Sequence, residues 1–188
     1  MRIYVLYDDR RPDAMQNVGR ELARQGIINY QIFPSIKNTN PTKSINLSQK
    51  EIVKKAKEDG FSEVAILEDD IMFPSTNAWN YFIQNKPKEF DIYLGGTYLM
   101  DDKIEYRPYV VKVKEYFGHH CIIVSSNYYD KFLATPDHLD IDTAQANKGN
   151  FYVCYPFPAL QRPGLSLVTN ERVDYNTLIN PRHIYDAV

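Results

Sequence analysis

Val64-Ala65-Ile66-Leu67-Glu68-Asp69-Asp70 is an unbroken apolar run that ends abruptly in three consecutive acids. Four apolar residues in a row fit a strand buried on both faces, the kind found in a mostly parallel sheet covered by helices. Such a strand delivers its C-terminal end to the sheet edge where α/β proteins bind their ligands. Three adjacent carboxylates repel one another, and each costs free energy when desolvated. A strand end that keeps them therefore calls for a cation, or a partner rich in hydrogen-bond donors, at that edge. A divalent metal ion is the natural candidate.

The flanking sequence supports the α/β reading. Ile3-Tyr4-Val5-Leu6-Tyr7 reads as a first strand that empties into Asp8-Asp9-Arg10-Arg11-Pro12-Asp13, a polar turn with a proline suited to open a helix. The helix runs from about Asp13 to Gln25, with Met15, Val18, Leu22 and Ala23 on one face and Gly26 as the stop. Tyr30 to Phe33 forms the second strand, and residues 37–43 read as a surface loop. Ser48 and Glu51 make a capping box for a helix over Gln49–Asp59, closed by Gly60. Strand, helix, strand, helix, strand is the signature of a parallel sheet with helices on both faces.

Beyond Asp70 the pattern is less regular. Helices are expected near Thr76–Gln84, Asn127–Leu133 and Thr143–Lys148, with strands over Phe90–Leu94, Tyr109–Val113, Cys121–Val124 and Phe151–Tyr155. Gly95-Gly96 marks a place where other backbone approaches closely. The proline-rich stretch from Pro156 onward reads as irregular chain folded over a site. At 188 residues the chain is expected to be one domain, with residues 1–75 as a nucleotide-binding half and 76–188 as an acceptor-side half.

A formal charge of −2 provides no broad basic field, which argues against a nucleic-acid backbone as partner. No apolar run is long enough to span a bilayer, and the N-terminus lacks the order of a signal peptide. A cytoplasmic setting is expected, and peripheral association with a membrane surface is compatible with it. Cys121 and Cys154 lie in apolar, strand-forming segments without CxxC or nearby histidine spacing, and read as reduced core residues.

Glu68-Asp69-Asp70 on its own serves metal-assisted phosphoryl chemistry, diphosphate binding or a phosphoacceptor equally well, and solvated acids at a strand end are the structural alternative. Neighbouring parallel strands deliver their C-terminal loops to one crevice, so Asp8, Asp9, Arg10 and Arg11 are placed to touch a nucleotide or diphosphate there. The same four residues also fit an acid-base pair on a solvated turn. His119, His120 and His138 sit in turns and are secondary candidates for chemistry. A receiver-like signalling domain is the rival fold. It would use Asp8-Asp9 as its acid pair, Asp70 as phosphoacceptor and Thr97 as its hydroxyl residue. The long interval from Asp9 to Asp70 and the lack of a downstream Lys-Pro weigh against it. A catalytically inactive binding module is the other alternative.

The order of landmarks resembles glycosyltransferase family 25, the lipooligosaccharide-biosynthesis galactosyltransferase type. Arg10-Arg11-Pro12-Asp13 is similar to that family's opening segment, and Tyr30 to Ser35 to its next strand. Ala65 to Asp70 is similar to its Glu-Asp-Asp element. Gly118 to Leu133, Leu139 to Asp142 and Tyr155 to Ser166 resemble its later landmarks. The family's usual Asn before the Arg-Arg pair is replaced by Tyr7, and a usual basic residue by Ala14.

The resemblance implies a GT-A-like three-layer fold around a mostly parallel sheet. It implies a Mn²⁺- or Mg²⁺-dependent enzyme that moves a hexose from a UDP-sugar to a carbohydrate or other hydroxyl acceptor. Developing charge on a leaving diphosphate is well met by a hard cation on carboxylates, so Asp70, with Glu68, is expected at the metal and Asp69 at ribose or metal-bound water. Asp142 or Asp140 is implied as the base for the acceptor hydroxyl, and Gln161 and Ser166 as residues closing the donor pocket.

Overall fold

The computed structural model describes residues 1–11, 13–98, 100–101 and 104–186. Pro12, expected to open the first helix, lies outside the described residues. In chain order the elements are β1 (Arg2–Tyr7), α1 (Ala14–Arg24), β2 (Gln31–Pro34), α2 (Pro41–Glu58), β3 (Glu63–Glu68), β4 (Ile71–Met72), α3 (Ala78–Gln84) and β5 (Ile92–Leu94). There follow β6 (Met100–Asp101), β7 (Ile104–Arg107), β8 (Val110–Val113), β9 (Glu115–Tyr116), β10 (Cys121–Ser125), α4 (Tyr129–Leu133), β11 (Phe151–Cys154), β12 (Leu160–Gln161), β13 (Gly164–Leu165) and β14 (Arg172–Val173).

Eight strands form one sheet in the order β2-β1-β3-β10-β5-β11-β8-β7, taking strands from both halves of the chain. β1 runs parallel to β2 and β3, and β11 parallel to β5, while β10 is antiparallel to its neighbours β3 and β5. β8 is antiparallel to β11 and β7, so six of the eight strands share one direction and only β10 and β8 oppose it. This mixed, mostly parallel sheet is the α/β architecture expected. It also removes the receiver-like reading, whose sheet is parallel in the order 2-1-3-4-5 and has no reversed strand beside the acid-bearing one. Thr97 does not face Asp70 as that reading required; its hydroxyl donates to the Phe117 carbonyl at 2.8 Å.

Successive side chains of a strand point to opposite faces, and the two faces carry separate cores. Tyr4, Leu6, Ile66, Ile122 and Val124 pack against Ile52, Val53 and Ala56 of α2 and Phe132 of α4. Val5, Ala65, Leu67, Ile123 and Tyr93 pack against Val18 and Leu22 of α1 and Ala78 and Phe82 of α3. Phe82 and Tyr93 stack with centroids 4.5 Å apart. Helices on both faces make β3 fully buried between β1 and β10, which is why its sequence is apolar without alternation. Cys121 and Cys154 are buried free thiols. Among the described residues no helix is long and apolar enough to cross a membrane.

Two expectations are corrected. Helix α2 begins at Pro41 rather than Gln49: Asn40 is its N-cap, accepting from the Lys43 N–H at 3.2 Å, with Pro41 in the first turn. Ser48 is therefore inside the helix, where its hydroxyl donates to Ser44 O at 2.7 Å and accepts from Ile36 N at 2.8 Å. The expected helix over Thr143–Lys148 is a single 3₁₀ turn, Thr143–Gln145.

The Gly95-Gly96 break does admit close backbone. A Cβ on Gly95 would lie 2.7 Å from Cys121 Sγ and 2.9 Å from Ala159 Cβ, and one on Gly96 would overlap the Ala159 carbonyl oxygen. This approach, fixed by Ala159 N–H donating to Gly95 O at 3.0 Å, carries the chain across the sheet end to β12, which pairs with β4. Gly96→Ala is expected to lower the stability to chemical denaturation by about 1–3 kcal/mol, the range for overpacking a filled site.

Candidate functional site

Pairing of β1 with β3 sets Leu6 opposite Glu68, so both strands release their chains at the same sheet edge. Asp8 N–H donates to Asp69 Oδ2 at 2.8 Å and so ties the two strand ends together. Arg11, in the turn after β1, spans the next two acids. Its Nη1 donates to Asp70 Oδ2 at 2.5 Å, and its Nη2 lies 2.5 Å from Asp69 Oδ1 in an ion pair too bent for a directed hydrogen bond. Gln161, brought in by β12, donates from Nε2 to the same Asp70 Oδ2 at 2.7 Å.

Asp8 is spent on structure. It accepts from Arg10 Nε at 2.9 Å and Nη2 at 2.7 Å, from Ser35 Oγ at 2.6 Å and from Lys37 Nζ at 2.9 Å. The Arg10 hydrogen bond, ahead of those from Ser35 and Lys37, holds its carboxyl far below the usual carboxylate range. Lys37 also reaches Asp9. Asp8 and Arg10 both line the cleft, but as a locked pair that bolts the β1 turn to the end of β2.

Glu68 and Asp69 lie in drier surroundings. Burial, reinforced by the charge of Asp70, lifts the Glu68 carboxyl to about 8. Burial likewise lifts Asp69 to about 7 against the pull of Arg11. Gln49 of α2 approaches Glu68 with Nε2 at 3.4 Å and turns its Oε1 to His119 Nδ1 at 2.9 Å. In this arrangement His119 carries its proton on Nδ1 and accepts from the Tyr116 hydroxyl at Nε2, 3.0 Å away. Burial first, and the neighbouring His120 second, depress His119 to about 3, so it stays neutral.

His120 takes the other side. Its Nε2 donates to Ala159 O at 3.2 Å, so in the neutral ring Nδ1 is an acceptor; the Tyr98 hydroxyl stands between that Nδ1, 3.2 Å away, and Gln161 Oε1, and its single proton serves one of them at a time. Burial depresses it as well.

The cleft above these groups has a volume of about 320 Å³ and gathers the expected residues Asp8, Arg10, Arg11, Glu68, Asp70, Asp140, Asp142, Gln161 and Ser166 around it. Asp69 stands just behind it, 1% exposed. Asp142 accepts from Gly118 N–H and Thr143 N–H, each at 2.8 Å, and burial pushes its carboxyl up. Asp140 is exposed and accepts from Thr42 Oγ1 at 3.3 Å. Ser166 accepts from Val168 and Thr169 N–H, both at 3.3 Å, shaping the turn between β13 and β14. His138 is exposed outside the cleft lining.

The donor chemistry fits a hard divalent cation in one specific way. Asp70 Oδ1 is buried and accepts no hydrogen bond, leaving oxygen ligand capacity at the cleft floor, while Asp69 Oδ1 behind it is met by Arg11 in an ion pair. Among the described residues no three His, Cys, Asp or Glu side chains form a ready metal cage. The fit is thus to an ion held by one or two carboxylates whose remaining ligands are phosphate oxygens and water, the habit of Mg²⁺ and its relatives. Sequence reasoning missed Gln49, Tyr98 and Arg162. Arg162 lines the cleft, donates its N–H to Asp70 O at 2.6 Å and leaves a buried Nε unpartnered. Its place between Gln161 and Pro163 was the only available signal.

No protein-family profile matches the chain, and no curated protein matches it. Solved structures do resemble it. A mannose-1-phosphate geranyltransferase from Thermus thermophilus aligns at 8% identity with a TM-score of 0.50, over 82% of this chain and 74% of that one. A glycosyltransferase involved in glycosylating the major capsid of PBCV-1 aligns at 11% identity and 0.43, over 70% of this chain and 63% of that one. A mannosyltransferase from Pyrobaculum calidifontis, solved with GDP-Man and Mn²⁺, aligns at 8% and 0.45, over 76% of this chain and 49% of its own length. The chain thus spans less than two thirds of the latter two proteins. The fold is GT-A-like.

A buried neutral histidine has a pH signature. With a folded pKa of about 3 against 6.5 for the free group, His119 binds its proton only in the unfolded chain across that window, so its contribution is lost as pH falls from 6.5 toward 3. Glu68, raised in the folded state, gives the opposite slope as pH rises toward 8. The difference between wild type and His119→Gln isolates the histidine. The variant's unfolding free energy is expected to fall less steeply below pH 6.5, by up to about 1.4 kcal/mol per pH unit, in denaturant titrations at stepped pH.

Proposed function

We propose that this chain is a metal-dependent glycosyltransferase of the family 25 type, moving a hexose from a UDP-sugar to a carbohydrate or other hydroxyl acceptor in the cytoplasm, with peripheral membrane contact where the acceptor is membrane-borne. The observation that carries the reading is Asp70 in the cleft lining at the shared end of β1 and β3, with a buried Oδ1 that accepts no hydrogen bond and with Asp69, ion-paired to Arg11, directly behind it. A nucleotide-diphospho-sugar fold places its ligand at this edge.

The charge balance supports a cation in the complex. Glu68 holds its proton near neutrality and Arg10 and Lys37 neutralise Asp8, so Asp70, Asp140 and Asp142 are the acids a diphosphate would meet, beside Arg11 and Arg162. A divalent ion would offset the charge that a diphosphate brings next to those carboxylates. Asp70 Oδ1 is the oxygen best placed to hold the ion, with Asp69 behind it. Bound there, the ion supplies Lewis-acid stabilisation of a leaving diphosphate.

This chain's own residues account for the rest. Gln161 and Arg11 fix the Asp70 carboxylate by its other oxygen. Ser166 sets the turn that lines the cleft wall, and Arg162, whose guanidinium pairs with Glu21 at 3.5 Å, lines the cleft beside it. Asp142 serves the acceptor: two backbone N–H groups hold it in one orientation, and its raised proton affinity improves it as general base for a hydroxyl. Asp140 is solvated and lacks that preparation, so the base is Asp142.

Isothermal titration of UDP in Mn²⁺ and then in EDTA tests the reading, and UDP heat that requires Mn²⁺ is the expected result. Asp70→Ala is expected to abolish that binding with the circular-dichroism spectrum unchanged; retained binding refutes the ligand assignment. Asp142→Asn is expected to keep UDP binding and to lower turnover by about 10²–10⁴-fold. Equal loss of binding and turnover makes Asp142 a structural group instead.

A further inference from the structure

We propose that Arg11 is a resident counter-ion that competes with the divalent cation for Asp69 and Asp70, and that it transfers to the nucleotide's diphosphate when the cation arrives with its nucleotide. The proposal rests on the nucleotide-sugar reading above and concerns how the site is held ready for it.

Arg11 has the features of a movable cation. Its guanidinium bridges the two carboxylates, 2.5 Å from each, with Asp69 wholly buried and Asp70 nearly so. Its Nε is buried without a hydrogen-bond partner, so among the described residues these two ion pairs are what fix the head group. Arg10 beside it is the opposite case. Backbone N, Nε and Nη2 of Arg10 all donate to Asp8, which Ser35 and Lys37 also clamp. Two adjacent arginines thus have different assignments: Arg10 is structural and Arg11 exchangeable.

Arg11 also occupies the position that conflicts with a metal. A divalent ion on Asp70 Oδ1 would share one carboxylate with a guanidinium on Oδ2, and two cations so close repel unless an anion comes between them. Gln161 holds Oδ2 as well, at 2.7 Å, so the carboxylate keeps a neutral donor and its orientation when Arg11 leaves. Arg11 lines the cleft, which puts the released guanidinium within the same space as an incoming diphosphate, a group it can grip bidentately.

Without a nucleotide the cation must displace Arg11 with nothing to receive it. With a nucleotide the displaced arginine gains new acceptors. Metal and nucleotide therefore bind with positive coupling, and by linkage each raises the other's affinity by the same factor. Removing Arg11 uncouples them: the cation alone binds better, and the nucleotide improves it less.

Mn²⁺ binding to the whole chain, followed by electron paramagnetic resonance of the free ion with and without saturating UDP, tests this in wild type, Arg11→Met and Arg11→Lys. The expected result is Mn²⁺ alone binding Arg11→Met about tenfold more tightly than wild type, and UDP tightening Mn²⁺ about tenfold in wild type but markedly less in the variant. Arg11→Lys, which keeps a charge but cannot bridge both acids, is expected between the two and covers the case in which Arg11→Met fails to fold. Equal or weaker Mn²⁺ binding in both variants, with UDP coupling intact, overturns the exchange and leaves the metal reading standing. Absence of Mn²⁺ binding in every protein, with and without UDP, overturns the metal reading and the exchange together.

Discussion

Three carboxylates in succession at the end of a wholly buried strand are the constraint around which this molecule is built. Each is relieved by a different part of the chain. Asp69 takes the Asp8 N–H and the Arg11 guanidinium from the β1 turn. Asp70 takes Arg11 and, from the strand that pairs with β4, Gln161 on β12. Among the described residues Glu68 receives a long contact from Gln49 on α2, and burial keeps it a weak acid. The glycine pair before the cleft, the crossing of Ala159 and the early start of α2 all follow from bringing those partners within reach. An acid left alone at this depth costs several kcal/mol, so the cluster and its surroundings fold as a unit.

Much of this was legible in the chain. The unbroken apolar run Val64–Leu67 announces a strand covered on both faces, and the alternation of elements before it gives a parallel arrangement for β1, β2 and β3. Parallel neighbours share an edge, so Asp8 and Arg11 could be placed beside Asp70 without knowing any distance. What pattern could not resolve was which of two adjacent arginines does which work. Arg10 and Arg11 differ only in the direction their side chains leave the turn, and that is decided by Ser35 and Lys37 in the loop after β2.

The start of α2 shows why the remainder was hidden. Periodicity finds a helix by its apolar stripe, yet the buried face of the first turns of α2 carries Ser44, Asn46, Ser48 and Gln49. Those residues are buried because they serve neighbours. Ser44 donates to Ile36 O at 2.5 Å, Asn46 to Asp137 O at 3.1 Å, and Gln49 bridges His119 and Glu68. A polar face turned inward reads in sequence as a loop. The Asn40-Pro41 pair was the local signal for the true boundary, and it competed with a plausible capping box eight residues later. The short strands β4 and β12, two residues each, carry no periodic signal at all, although their pairing is what seats Gln161.

His119 and His120 make the same point about buried polar groups from the side of chemistry. Lying next to one another at the entry to β10, they leave the backbone in opposite directions and supply two separate chains of hydrogen bonds. One runs from Tyr116 through His119 and Gln49 toward Glu68, the other joins His120 and Tyr98 to Gln161 and so to Asp70. In each a glutamine amide is the last donor to the carboxylate, with its carbonyl oxygen turned to a neighbouring donor. Neutral imidazoles suit that task, because a charged one would add a cation beside groups that must stay open to a metal. The depressed proton affinity of both histidines is therefore the electrostatic counterpart of the open Oδ1 of Asp70: the fold supplies neutral donors to this cluster and leaves Arg11 as the cation that bridges Asp69 and Asp70.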